Sequence, residues 1–216
     1  MFREPKPLEL LTFAAQPPPS DRMSSSAADA TAVVDAIYMR RAIRAYTGEP
    51  VDRSTIERLI DAAIQAPSYT DNEPWSFAVV HGADVLHGLS DRVKAAALTA
   101  PSHAMPDRLR RELADTAFNV FHGAPALIVV CATSARQQDA EDCCLAAQNI
   151  MLSAVAYGLG TCPIGLSRPW LQLPEAKALL GIEAAHVPVF AIALGHAAVT
   201  PVPPGRRKPS VSHYPS

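Results

Sequence analysis

Ala66-Pro67-Ser68-Tyr69-Thr70-Asp71-Asn72-Glu73-Pro74-Trp75 stands between a helical pattern and a strand pattern. Its two prolines fix φ at each end and withhold an N–H, so neither flanking element can run through it. The residues between them, Ser68 to Glu73, are polar or charged. A loop this stiff and polar suits the holding of a heteroaromatic ring by hydrogen bonds. Before it, Ile56, Leu59, Ile60, Ala63 and Ile64 share helical spacing. That helix starts near Asp52 or Ser54, where Ser54-x-x-Glu57 has capping-box spacing. Thr47-Gly48-Glu49-Pro50 separates it from an earlier amphipathic helix over about residues 29–41, with Ala30, Val33, Val34, Ile37 and Arg41 on one stripe.

After the loop, Trp75 to Val80 reads as a strand. Helices are predicted over about 83–99 and 106–121, with Pro106 in the first turn of the second. Residues 125–131 (PALIVVC) have the unbroken apolar character of a strand covered on both faces. A long helix over about 139–157 opens on Asp139, Glu141 and Asp142, which suit the positive end of its dipole, and Gly158 and Gly160 close it. A strand near 161–165, a helix near 174–180, a strand at 187–194 and a Pro- and Arg-rich tail at 199–216 follow. Helices outnumber strands without strict alternation, which predicts an α+β fold. Residues 1–26, rich in Pro and Ser, read as a poorly ordered leader, leaving 27–216 as one domain.

Composition narrows the function. The 216 residues are 49% hydrophobic, and a chain of this size buries roughly 70% of its unfolded surface, enough for one core. Nineteen basic against 21 acidic residues give no basic field for nucleic acid. No apolar run is long enough to span a membrane. Cys131, Cys143, Cys144 and Cys162 form no disulfide framework or metal-ligand spacing, and they read as small buried hydrophobes in a reducing compartment. With no secretory leader pattern, the cytoplasm is the expected location. Phe118, Phe121 and Trp170 read as core before they read as the roof of a substrate channel.

Two tempting motifs fail. Gly158-Leu159-Gly160 follows a helix instead of a strand and meets Pro163 where a dinucleotide fingerprint needs its third glycine. Gly165-Leu166-Ser167-Arg168-Pro169 lacks the closing glycine of a nucleophile elbow.

Arg40-Arg41-Ala42-Ile43-Arg44 carries chemistry. Cations at a helix C-terminus are favoured by the dipole, which is explanation enough for such a cluster taken alone. Arginine's planar fork is also the side chain best shaped to clamp a phosphate. Arg-Arg-x-x-Arg followed by Ala-Pro-Ser-x-x-x-x-x-Pro-Trp resembles the N-terminal signature of the nitroreductase family of FMN-dependent oxidoreductases. The resemblance continues through Asp142 to Gly165 (DCCLAAQNIMLSAVAYGLGTCPIG), Val189 to Gly195 and the late Arg206-Arg207-Lys208-Pro209.

That resemblance implies a mixed, mostly antiparallel sheet flanked by helices, and a homodimer exchanging its C-terminal segment, with an FMN at each of two interface sites. It implies that NADH or NADPH reduces the flavin, and that a nitroaromatic, quinone or enone then takes the electrons in ping-pong fashion. Arg40 and Arg207 match phosphate ligands, with Arg206 assisting and Arg41 in the same clamp; Arg44 lies by the N1–C2=O edge of the ring. Pro67, Ser68 and Tyr69 match a loop lent by the second subunit, and Asp71 stands where the family usually has Asn. Pro163, Ile164 and Gly165 match the backbone that approaches N5. Glu73 for the usual Gln, and Ala42 for a polar residue, alter the ring's surroundings. A specialised relative (a dehalogenase, azoline oxidase or flavin-fragmenting enzyme) is the alternative reading.

Overall fold

A computed structural model describes residues 27–69, 73–99 and 105–213, so the leader reading of 1–26 lies outside them. In chain order the elements are α1 (Ala27–Met39), α2 (Arg53–Ala63), β1 (Trp75–His81), α3 (Ala83–Thr99), α4 (Asp107–Ala114) and β2 (Ala126–Ala132). There follow α5 (Gln137–Ala156), β3 (Gly160–Pro163), a 3₁₀ turn (Gly165–Ser167), α6 (Arg168–Leu171), α7 (Pro174–Leu179) and β4 (Val187–Gly195). The sheet order is β1-β2-β4-β3 and every strand pair in it is antiparallel. Among the described residues a bridge from Ala42 to Thr161 adds a parallel link.

β2 is buried at every residue, as an unbroken apolar strand must be. Alternate residues face two cores. Ile128 and Val130 pack with Ile56, Leu59 and Ala63 of α2 and Ala146 and Ile150 of α5. Leu127 and Val129 pack with Leu86 and Val93 of α3 and with Trp170 and Leu171 of α6. Phe121 and Trp170 are core, and Phe118 packs against them. The result is three layers, helix on sheet on helix, in an α+β order.

Four local readings need correction. The helix expected over 106–121 ends at Ala114. Beyond it the Asp115 carboxylate accepts the Ala117 N–H at 2.9 Å, the buried Lys94 ammonium binds the Asp115 and Phe118 carbonyls, and Ser90 Oγ takes the Val120 N–H. Those side chains satisfy backbone groups a helix would otherwise pair. The Ser54–Glu57 capping box does not form either. Asp52 is the N-cap, Ser54 lies inside the helix, and Glu57 pairs with Arg53 at 3.1 Å. Cys144 is exposed although Cys143 is buried, since neighbours on a helix point about 100° apart. Finally, α1 lies against α5 but leaves Val33, Val34, Ile37, Tyr38 and Met39 in the open. Its apolar stripe faces away from the chain's own core.

Candidate functional site

The arginine segment leads into an irregular strip that docks on the sheet's edge through isolated bridges. Ile43 N–H donates to the Thr161 carbonyl at 2.9 Å, and Ala198 N–H donates to Ala45 O at 2.9 Å. Residues 42–46 thus thread between β3 and the chain leaving β4. Gly160 makes the docking possible: a Cβ there would stand 2.5 Å from Ile43 Cγ1 and 2.9 Å from its Cβ. Tyr46 is held by its hydroxyl donating to Ala193 O at 3.2 Å, and burial pushes its ionisation far above the ordinary range.

The three arginines of this strip have different fates. Arg41 turns back and donates to the carbonyls of Tyr38 and Arg40, so it caps α1. Arg40 and Arg44 meet no carboxylate among the described residues. Both act on the same neighbour: burial raises the Cys162 thiol, and the fields of Arg44 and Arg40 pull it down. Arg44 also reinforces the burial that keeps His122 below the usual imidazole range. His122 sits in a left-handed turn at φ 57°, strained for a residue with a side chain. Nothing in the periodicity marked it. Arg40 and Arg41 border a cleft of about 190 Å³ with Val155, Gly158, Thr161 and Thr200.

Along the same edge, β3 delivers Pro163, Ile164 and Gly165. Ile164 N–H binds Ala191 O at 2.8 Å, while Ser167 Oγ donates to Ile164 O at 2.9 Å. Ser167 is fully buried, so it is a brace for the turn and no nucleophile. Gly165 opens the 3₁₀ turn, where the first N–H groups have no partner within the turn, and a Cβ there would meet nothing within 4 Å. A cavity of about 240 Å³ lies beside it, walled by Arg168, Leu171 and residues 188–191. Arg168, donating to Val189 O at 3.0 Å, is a wall residue the sequence reading missed; α6, at four residues, is too short to show a period.

The remaining candidates stand apart. Pro67, Ser68 and Tyr69 sit over the start of α5, where Tyr69 N–H donates to the Asp142 carboxylate at 3.1 Å. The arginine strip sits at the other end of that helix. From Asp142 to Val155, α5 climbs about 20 Å at about 1.5 Å per residue. Tyr69 is 76% exposed. Arg206 and Arg207 lie in an exposed tail without secondary structure. Asp71 lies outside the described residues. Arg40, Arg44 and Pro163–Gly165 thus follow one edge of the sheet, while the Pro67–Tyr69 loop lies near the other end of α5.

The model of the nitroreductase family matches residues 37–196, which include both the arginine strip and the β3 turn. The chain belongs to the nitroreductase family. A relative from Methanothermobacter thermautotrophicus, named as an NADH dehydrogenase/NAD(P)H nitroreductase, is 30% identical over 173 residues, covering 78% of this chain and 79% of that protein. A nitroreductase from Bacteroides fragilis, solved with bound FMN, superposes with a TM-score of 0.72 at 25% identity, covering 82% of this chain and 95% of its own. A shorter likeness, 40% over 55 residues, is to iodotyrosine deiodinase 1 of Rattus norvegicus and covers 26% of this chain and 19% of that enzyme. The nitroreductase fold thus accounts for the α+β order. Among the described residues no helix is long and apolar enough to cross a membrane.

Proposed function

We propose that this chain is an FMN-dependent oxidoreductase that works as a homodimer. Arg40, Arg44 and Pro163–Gly165 of one protomer would hold a flavin beneath the Pro67–Tyr69 loop of the other. The observation that carries this reading is the separation of loop and arginines to opposite ends of α5 within a single chain, each left open. The donor set fits the cofactor: two guanidiniums without carboxylate partners among the described residues suit a phosphate, and an open glycine at a turn start lets a flat ring approach the backbone.

Bound FMN would supply the electron chemistry, taking a hydride from NADH or NADPH and passing the electrons to a small electrophile such as a nitroaromatic, quinone or enone. The protein's residues bind and orient. Arg40 anchors the phosphate, aided by Arg206 and Arg207 from the tail. Arg44 places a permanent positive charge at the pyrimidine edge, which favours the reduced ring by stabilising negative charge there. The Pro67–Tyr69 loop covers the ring and limits water, with Asp71 next to it. No side chain is required as acid or base for the hydride step, and donor and acceptor use the same face in turn.

The purified protein is expected to be yellow, to elute at twice its 23.0 kDa chain mass, and to oxidise NADH or NADPH with menadione or nitrofurazone. A colourless protein that stays apo after mixing with FMN defeats the proposal. The local likeness to a deiodinase supports a second reading, a specialised flavoenzyme with little general reductase turnover. Bound flavin without NAD(P)H oxidation selects it.

A further inference from the structure

Asp142 is a carboxylate 4% exposed, yet no cation faces it among the described residues. Its oxygens accept the Tyr69 main-chain N–H at 3.1 Å and the Gln138 amide at 3.3 Å. Aspartate forms helix poorly and is costly to bury, so its place in α5 needs a return. The return is the loop, 73 residues earlier in the chain. The next residue holds the loop's other foot: Cys143 Sγ lies 3.7 Å from the Pro74 carbonyl, to which Thr133 N–H also donates at 3.0 Å. Burial pushes the Cys143 thiol up to about 12, so it stays protonated and able to donate. The Tyr69 foot carries a ring that is 76% exposed, and Glu73, next to the Pro74 foot, is in a left-handed conformation at φ 44°. Backbone held in a sparsely populated conformation persists only where its surroundings fix it, and Glu73 sits directly before the Pro74 foot.

We infer that Asp142, with Cys143 beside it, is a positioning residue that holds the Tyr69 and Pro74 feet of this loop in place for the neighbouring subunit's flavin. The inference rests on the proposed two-chain FMN site. It adds that α5 is a rigid spacer, with the loop it lends pinned at one end and the arginine strip it keeps packed at the other. Asp142 touches no flavin; it acts on the partner's site through the Tyr69 backbone.

The test is complementation between subunits. Chains carrying Arg40→Ala and Asp142→Ala are co-expressed with different tags, and the mixed dimer is isolated and titrated with FMN. Each homodimer is expected to bind FMN about tenfold more weakly or worse, as befits the loss of a hydrogen bond to a charged group. In the mixed dimer both lesions fall on one site, so the other is wild type: one FMN per two chains at wild-type affinity. Asp142→Asn, which keeps an oxygen for the Tyr69 N–H, is expected to restore binding. Should the alanine variant fail to yield a dimer, Asp142→Glu moves the carboxylate by one methylene and takes its place. A mixed dimer with no wild-type site, or an Asp142→Ala homodimer that binds FMN normally, overturns the inference. Wild-type protein that ignores FMN overturns the underlying functional reading instead, and is scored first.

Discussion

Arginines one residue apart can do unrelated work. Arg40 and Arg41 line one cleft, and neither meets an acidic partner among the described residues, but Arg41 spends its guanidinium on the last carbonyls of α1. The sequence shows a run of cations and cannot say which are committed, since that depends on where the helix ends. Arg40→Ala is expected to raise the FMN dissociation constant about 10- to 100-fold, the loss of one charge-assisted contact. Arg41→Ala is expected to leave FMN affinity within about threefold while lowering stability by about 1 kcal/mol, the worth of a helix-end hydrogen bond. Fluorescence titration of FMN and thermal melts of the two variants separate the roles. Equal loss of affinity in both would place Arg41 in the clamp as well.

Elements place these side chains, and here close approach decides. The strip at 42–46 reaches β3 only because Gly160 lacks a Cβ. Gly160→Ala would press on Ile43 Cγ1 and Cβ, neither of which is the free end of a flexible chain, so the strip itself must move. The expected cost is about 1–3 kcal/mol of stability, with weaker FMN binding from displaced Arg40 and Arg44. A melt together with an FMN titration checks it; unchanged binding would show that the strip's seat on β3 does not set the clamp. At the start of α5, Ser134 Oγ donates to the Asp139 carboxylate at 2.5 Å and Arg136 adds a contact at 2.7 Å. The Ser134 bond, then Arg136, hold Asp139 below its ordinary ionisation range. A carboxylate depressed in the folded state stabilises it above the unfolded value near 3.8, and that contribution is lost as pH falls through the lower folded value. The melting-temperature gap between wild type and Asp139→Asn is therefore expected to be full at pH 6 and to close below about pH 4. Long periodic elements such as α3, α5 and β2 were legible because burial and spacing agree in them. The end of α4 was not, because Lys94 and Ser90, both on α3, claim its continuation's backbone groups. The arginine strip and the Pro67 loop were legible only as a pattern resembling a family. Their placement at opposite ends of α5 is tertiary information that no local window holds.

At the scale of the molecule, several surfaces are left uncovered. α1 presents Val33, Val34, Ile37 and Tyr38 to solvent, Tyr69 is exposed, and residues 201–213 run exposed. Large apolar side chains grouped on one helix face mark a surface made to be covered. If a second copy covers it, replacing one of them with a charge should cost several kcal/mol, because the carboxylate would be buried without a partner. Ile37→Asp is accordingly expected to elute as a monomer at concentrations where the wild type is a dimer. It should lose FMN with the dimer, although Ile37 belongs to no cofactor contact. The linkage also runs the other way. A ligand that binds only where two chains meet must tighten their association by the same free energy that the dimer lends its binding. Sedimentation of dilute wild-type protein should therefore show the monomer–dimer midpoint moving to lower protein concentration as FMN is added. A midpoint indifferent to FMN would mean that one chain holds the flavin alone, and Tyr69 and its loop would then need another purpose.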